Sequence, residues 1–471
     1  REGYNTYLVV VPREDADHEE DYVLIDWFEL LYWRDLVAEA GRARFGSSGR
    51  TGALEFHVDG FSGPDVSVYR LDGKYDLTVV DGVSTTASQS GYEATFVSDV
   101  SDTATYEAVQ DGGWLVPDMA IDTFGDLRTV TGADYLMVVY DGFYDEAFRL
   151  AAFRQTARGG GFSVRTTRLS DVYDEFSWGM VDPAAVRDYL KHTWESSDPP
   201  PTHALLVGDA SSDYRQYLAS STECYLPTHY TGGSYWPAES WFVGFDAVVG
   251  YLPAMALGRL PVRSTSELSD MIDKITGYVT DREEGLWHNT ALLVADDQFK
   301  GQEQADKCCE FFHTEQCEEL AREMLPFPLD RRKIYLYEYE RDGTGLNKPG
   351  ARTAFLNAWN EGAVLVNYTG HGSEIVMAHE NVFLYDDAYA LENGSKLPLF
   401  FAASCRLNKF DQPTVDSMGE LFAKLASRGS IASIGSTRDS GASQNASLNR
   451  SFYSHMFGHQ HFRASNAFQL M

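Results

Sequence analysis

The sequence predicts an α/β protein in three parts: an all-β, sandwich-like module followed by two α/β units, each built on a parallel sheet. Three observations predict it. Residues 1 to about 130 carry short alternating runs such as Tyr92-Glu93-Ala94-Thr95-Phe96-Val97, set apart by Gly, Asp and Ser turns. From Asp134 onward the apolar runs become continuous, as in strands covered on both faces. Helix signals lie between those runs, and parallel strands need such crossovers. At 471 residues, more than one core is expected.

In the first part, Tyr7-Leu8-Val9-Val10-Val11 and Val23-Leu24-Ile25-Asp26-Trp27-Phe28 read as further strands. The second part opens with Tyr135-Leu136-Met137-Val138-Val139-Tyr140 and a helix ending at Gly159-Gly160-Gly161, a C-cap and not a phosphate loop. Asp182-Pro183 starts a helix through Trp194, and Ala204-Leu205-Leu206-Val207 is a buried strand. An irregular aromatic loop leads to the strand Ala254-Met255-Ala256-Leu257, after which Ser264 and Glu267 form a capping box. The third part repeats the theme with runs at Ala291–Val294, Lys333–Tyr337, Ala363–Asn367, Leu397–Phe401 and Ser430–Ile434. The predicted divisions are 1–130, 131–282 and 283–471.

Seventy acidic against 38 basic side chains leave a formal charge of -32, which repels polyanions and argues against nucleic acid as a partner. No apolar run approaches the length of a membrane span. Five cysteines without paired spacing make a poor disulfide framework. The chain begins at Arg1 and ends at Met471, so an export signal is expected upstream and a further targeting segment downstream.

In open parallel sheets, reactive groups sit just beyond the carboxyl ends of strands. Two ends are unusual here. One strand runs into Thr369-Gly370-His371-Gly372-Ser373, where the glycines free the backbone beside an imidazole. Another runs into Ser404-Cys405. If the two strands are neighbours, thiol and imidazole reach one rim, a nucleophile and its acid–base partner.

This order, histidine before cysteine, resembles the caspase-like peptidases. Asn367-Tyr368-Thr369-Gly370-His371-Gly372-Ser373-Glu374 resembles the histidine motif of the gingipain family of cysteine peptidases. Leu206-Val207-Gly208-Asp209, Leu257-Gly258-Arg259-Leu260-Pro261 and Ile431-Ala432-Ser433-Ile434-Gly435-Ser436-Thr437 fall in the same order. The resemblance covers about residues 131 to 460. The preceding β module, Ser404-Cys405-Arg406 and Phe410-Asp411 resemble the type IX secretion sortase branch of that family.

The resemblance implies a two-unit caspase-like catalytic domain that cleaves peptide bonds of secreted proteins through Cys405 and His371. It also implies a secreted or cell-surface location and association with outer-membrane secretion machinery. A carboxylate orienting the histidine maps onto Glu239, and structural calcium comes with the family, although no cofactor is required for the chemistry. A substrate-binding acid for Arg or Lys has no matched position, because Asp246 is out of step. Attack by Cys405 would place an oxyanion on the N–H groups of Gly372 and Cys405, and the thioester would pass to water, or to an amine in a transpeptidation.

Blander readings stand beside these. The stripe Cys309, His313 and Cys317, next to Cys308, is expected to be core packing, since three ligands on one helix stripe splay too far for a tetrahedral ion. His379 beside Glu380 is a rival imidazole on a loop. Asp411, Asp416 and Glu420 read as a solvated face or a polar helix start. A catalytically silent scaffold, or an adhesin on the same fold, is the alternative function.

Overall fold

A computed structural model describes residues 34–458, apart from 73–75, 102, 120, 122–124, 130–131, 232–235, 246–251, 282 and 298–310. The strands expected at 7–11 and 23–28, and Asp246, Cys308 and Cys309, lie outside the described residues. The chain divides into two units, Arg1–Asp122 and Thr123–Met471.

Alternation in the first unit produces antiparallel strands, as the sequence predicts. Its strands are β1 (Arg42–Gly46), β2 (Gly52–Phe61), β3 (Val66–Leu71), β4 (Leu77–Val79), β5 (Ser84–Ser88), β6 (Gly91–Val100) and β7 (Thr105–Gln110). They form one sheet in the order β1-β7-β3-β4 and a second in the order β2-β6-β5. Phe45, Val58, Val68, Phe96 and Tyr106 from both sheets share one buried cluster, in which the rings of Phe56 and Tyr106 lie 4.9 Å apart. The module is a β-sandwich around that cluster.

The second unit contains two parallel sheets. The first has the order β13-β10-β8-β9, from β8 (Tyr135–Val139), β9 (Val164–Arg168), β10 (His203–Val207) and β13 (Ala256–Leu260); a ribbon of β11 (Tyr230–Thr231) and β12 (Trp236–Pro237) stands in the loop before β13. Helices α1 (Tyr144–Gln155), α2 (Leu169–Ser177), α3 (Pro183–Ser196) and α4 (Thr265–Thr280) cross over. Asp182 caps α3 by accepting from the Ala184 N–H, and Ser264 caps α4 by accepting from the Glu267 N–H.

The second sheet has the order β15-β14-β16-β19-β20, all parallel: β14 (Thr290–Ala295), β15 (Asp330–Tyr335), β16 (Leu365–Thr369), β19 (Leu399–Ala403) and β20 (Ala432–Gly435). A short ribbon, β17 (Val376–Met377) with β18 (Phe383–Leu384), follows β16. The helices are α5 (Phe312–Glu319), α6 (Pro349–Glu361), α7 (Met418–Lys424) and α8 (Ala442–Tyr453). Period-two alternation sends Leu292, Val294, Val366, Tyr368 and Phe400 to the face covered by α6 and α7, and Leu293, Leu365, Leu399 and Phe401 to the face covered by α5 and α8. Trp359 of α6 packs its ring against Phe422 at 4.7 Å and Phe400 at 5.6 Å, and its indole N–H donates to Gly429 O. Both faces are sealed, so polar groups that meet solvent gather beyond the strand ends.

Several bonds join the two halves of this unit. Lys274 Nζ of α4 donates to Phe422 O (3.1 Å) and Ala423 O (2.9 Å) of α7. The N–H groups of Ser212 and Thr222 donate to Asp411 O and Pro413 O, tying the loop after β10 to the segment after β19.

Candidate active site

Four consecutive strands of the second sheet each deliver a group at their carboxyl ends: Asp296 after β14, His371 after β16, Cys405 after β19 and Ser440 in the loop after β20. The register holds these ends level. Ala295 pairs with Thr369 and Thr369 with Ala403, and neighbouring strands stand about 4.8 Å apart. The Gly370 N–H donates to Ala403 O at 3.3 Å, so the two loops leave the sheet together. This is the neighbour relation that the sequence reading required for His371 and Cys405.

The backbone of His371 is pinned from three sides. Its N–H donates to Asp296 Oδ2 at 2.9 Å, and its carbonyl accepts from Tyr368 Oη at 2.5 Å and from the Ala378 N–H at 3.0 Å. Bonds from the Ala378 N–H to His371 O and from the Ser373 N–H to Val376 O flank Gly372, which faces Met377 as the intervening pair. In such a pair the Gly372 N–H points away from the ribbon.

Cys405 is partly exposed. Its thiol donates to Ser440 O at 3.4 Å, while the Ser440 N–H donates to Sγ at 3.4 Å. The loop that presents Ser440 is anchored by Arg438, whose guanidinium grips Asp411 with two bonds of 2.7 and 2.6 Å. Asp411 is fully buried and also accepts from Tyr230 Oη at 2.7 Å. Arg406, directly after the cysteine, has a φ of 54° and pairs with Asp439 at 2.5 Å.

Asp296 is fully buried, with Oδ1 accepting from the Asp297 N–H and Oδ2 from the His371 N–H. Burial pushes its carboxyl up to about 7; the bond from His371 pulls it down, and the neighbouring carboxylates Glu380 and Asp297 push it further up. The ring of His379, itself exposed, lies 4.7 Å from that of His371. The ring of His313 of α5, itself buried, lies 5.6 Å from that of His371, and burial pushes the His313 imidazole down to about 4.

Glu239, the carboxylate expected to orient His371, sits in a 3-10 turn of the first half. Both its oxygens bind Arg259, at 2.8 Å each, and Oε1 also accepts from Thr228. The carboxylate brought within reach of the His371 ring is Asp296. Sequence reasoning missed Asp296 and Ser440. The same strand-end rule that singled out His371 and Cys405 reaches Asp296, the first residue after β14.

Asp411 and Glu420 are not a solvated face, and Glu420 is the polar helix start that was the other expectation. Asp411 is buried on Arg438, and Glu420 closes a buried capping box at the start of α7 with Ser417. Asp209, Asp416 and Glu420 converge closely enough to suggest a cation, but Arg263 binds Asp209 and Lys424 binds Asp416, so two protein cations already sit among the three carboxylates. Cys317 is fully buried, with Sγ against Val294 O and Thr369 Oγ1, as core packing predicts. No helix among the described residues is long and apolar enough to cross a membrane.

The sequence model of Peptidase family C25 matches residues 128–471. Lys-gingipain HG66 of Porphyromonas gingivalis is 25% identical over 203 residues, which are 42% of this chain and 10% of that protein. The match therefore spans about a tenth of that relative's length. Among solved structures, the Arg specific cysteine proteinase gingipain R shares the fold with a TM-score of 0.53 at 18% identity, covering 71% of each chain. The complex of Porphyromonas gingivalis RgpB pro- and mature domains gives a TM-score of 0.51 at 19% identity, covering 68% of this chain and 67% of that one.

Proposed function

The chain belongs to peptidase family C25, and on that premise we propose that it is a thiol endopeptidase of secreted proteins in which Cys405 attacks and His371 carries the proton. The observation that carries this reading is the placement of thiol and imidazole at the level ends of the paired strands β16 and β19.

Before substrate enters, the thiol proton faces Ser440 O and the Ser440 N–H faces the sulfur. Transfer of the proton to His371 leaves a thiolate that keeps the Ser440 N–H as donor. The thiolate adds to the scissile carbonyl. Among the described residues, the N–H groups of Gly372 and Cys405 donate to no protein acceptor, which suits them to an oxyanion; losing one such donor typically costs about 10²–10³ in rate. The imidazolium protonates the leaving amine as the C–N bond breaks. His371 then takes a proton from water, which releases the acyl group from the thioester.

Asp296 is the positioning residue for His371 in this scheme, because it holds the histidine backbone and lies within reach of the ring. Glu239 instead holds Arg259 in β13. A sortase outcome uses the same thioester with an amine as acceptor. Ser404-Cys405-Arg406 and Phe410-Asp411 support that variant by their resemblance to the secretion sortase branch. Either outcome implies a secreted or cell-surface protein acting on exported substrates.

An electrophilic thiol probe tests the proposal. Cys405 is expected to label in the folded wild type, the label to vanish in Cys405→Ala, and labelling to slow sharply in His371→Ala, while buried Cys317 stays unmodified. Equal labelling of all five thiols would favour a silent scaffold, and proteolysis surviving in Cys405→Ala would assign the chemistry to another nucleophile.

A further inference from the structure

We infer that Asp296, His371 and His379 form a binding site for a divalent transition metal of the zinc class, and that filling it arrests the enzyme by occupying its imidazole. One donor atom from each of the three residues lies within 4.8 Å of the other two. Zinc bonds of about 2.0–2.1 Å put tetrahedral donors about 3.3 Å apart, so the donors close on a metal by side-chain rotations of about 1 Å. His379 is exposed to solvent, where an ion can reach it.

The backbone is built to hold the two imidazoles together. Ala378, just before His379, has a φ of 60°, in the left-handed region that costs a non-glycine residue about 1 kcal/mol or more. Its N–H donates to His371 O at 3.0 Å, which ties the His379 backbone to that of His371. The Asp296 carboxylate is oriented by two backbone N–H groups, one on each oxygen, the kind of outer support that metal-binding carboxylates use.

A second observation points the same way. His313 is 3% exposed, its two ring nitrogens have no hydrogen-bond partner, and its ring lies 5.6 Å from that of His371. Leaving a buried polar group unsatisfied is costly and calls for a reason. His313 stands as a third imidazole next to His371. Imidazole nitrogens with one carboxylate select zinc, cobalt or nickel over calcium and magnesium, which prefer all-oxygen cages. A metal bound through a His371 nitrogen takes the lone pair that would accept the Cys405 proton. This second half of the inference rests on the peptidase reading; the binding half does not.

The test therefore has two arms, both on the full chain. In a Cys405→Ala background, Co²⁺ titration followed by visible d–d absorption is expected to show one bound ion per chain, displaced by Zn²⁺. That signal should be lost in His379→Ala and in Asp296→Asn. In the active enzyme, His379→Ala should leave metal-free kcat/KM unchanged and raise the zinc concentration for half-inhibition by about ten-fold or more, with a chelator restoring activity in wild type. Equal zinc sensitivity in wild type and His379→Ala overturns the inference. So does a thiolate-to-cobalt charge-transfer band whose loss in Cys405→Ala takes the d–d signal with it, because the metal then sits on the thiol. If Cys405→Ala kept its proteolysis, the peptidase reading would fail while the cobalt arm still decided the site.

Discussion

Substituting Gly372 by alanine probes how tightly the histidine loop and the cysteine loop are fitted to each other. A Cβ at that position would fall 2.5 Å from Ser404 Oγ, 3.2 Å from Cys405 O and 3.2 Å from Leu407 Cγ. The φ of Gly372 is not positive, so the effect is one of space and not of backbone strain. Relieving the first contact to an ordinary separation needs a shift of about 1 Å, given that non-bonded atoms settle at about 3.5 Å. Ser404 has no freedom to retreat, being fully buried at the end of β19. Overpacking of this kind costs about 1–3 kcal/mol in stability. If Cys405 is the nucleophile proposed above, a misplacement of about 1 Å beside it costs about 100-fold in kcat/KM. Ser404 Oγ has no hydrogen-bond partner, so Ser404→Ala alone should leave stability unchanged or raise it by about 1 kcal/mol. The double variant Gly372→Ala/Ser404→Ala should regain about ten-fold or more of the lost activity, a coupling that only touching residues show. Peptide hydrolysis and urea unfolding, measured on all four proteins, decide the matter. A Gly372→Ala enzyme within two-fold of wild type, or a double variant no faster than Gly372→Ala, would refute this account of the cleft.

Two further perturbations probe the supports of the site. Arg438→Met strands the buried Asp411 carboxylate and should cost about 3–5 kcal/mol in urea unfolding, with activity falling as Ser440 loosens; a loss under about 1 kcal/mol would mean the pair does not anchor the loop. Lys274, pushed down to about 7 mainly by burial, binds fewer protons folded than unfolded between about pH 7 and 10.5. Stability should therefore rise with pH across that window, relative to Lys274→Met, by up to about 1.4 kcal/mol per pH unit; parallel stability curves for the two proteins would show that the lysine stays charged.

The sheets were legible because sealed strands leave long apolar runs, and helix starts because capping residues are local. Asp182-Pro183 and Ser264 with Glu267 fall where they were expected. Strand limits were less legible. The run expected at Ala363–Asn367 pairs instead over Leu365–Thr369, and Asn367 and Thr369 are buried within it. Apolar letters report burial, whereas pairing is set by register against Ala291 and Leu399 on the neighbouring strands. His371 and Cys405 stood out because glycines and a lone cysteine are rare at strand ends. Asp296 did not, since an aspartate after a strand looks like any polar turn. Ser440 carried no signal at all: its place depends on Arg438 reaching Asp411, a pairing between distant segments that no local pattern records.

The order of strands along the sheet explains why these four groups belong together although they are scattered in sequence. Going from β14 through β16 and β19 to β20, the ends deliver a carboxylate, an imidazole, a thiol and a backbone donor, spaced by the pitch of the sheet. That spacing is about one hydrogen bond plus one side-chain atom. It lets each group act on its neighbour while the sealed core below prevents any of them from sinking. A carboxylate drawn from the other half of the unit, such as Glu239, would depend on how the two halves are docked, and its oxygens are already committed to Arg259. Asp296 depends only on the pairing of β14 with β16, the same register that sets the level of His371. The geometry thus sets beside His371 a carboxylate that is itself held by two backbone N–H groups.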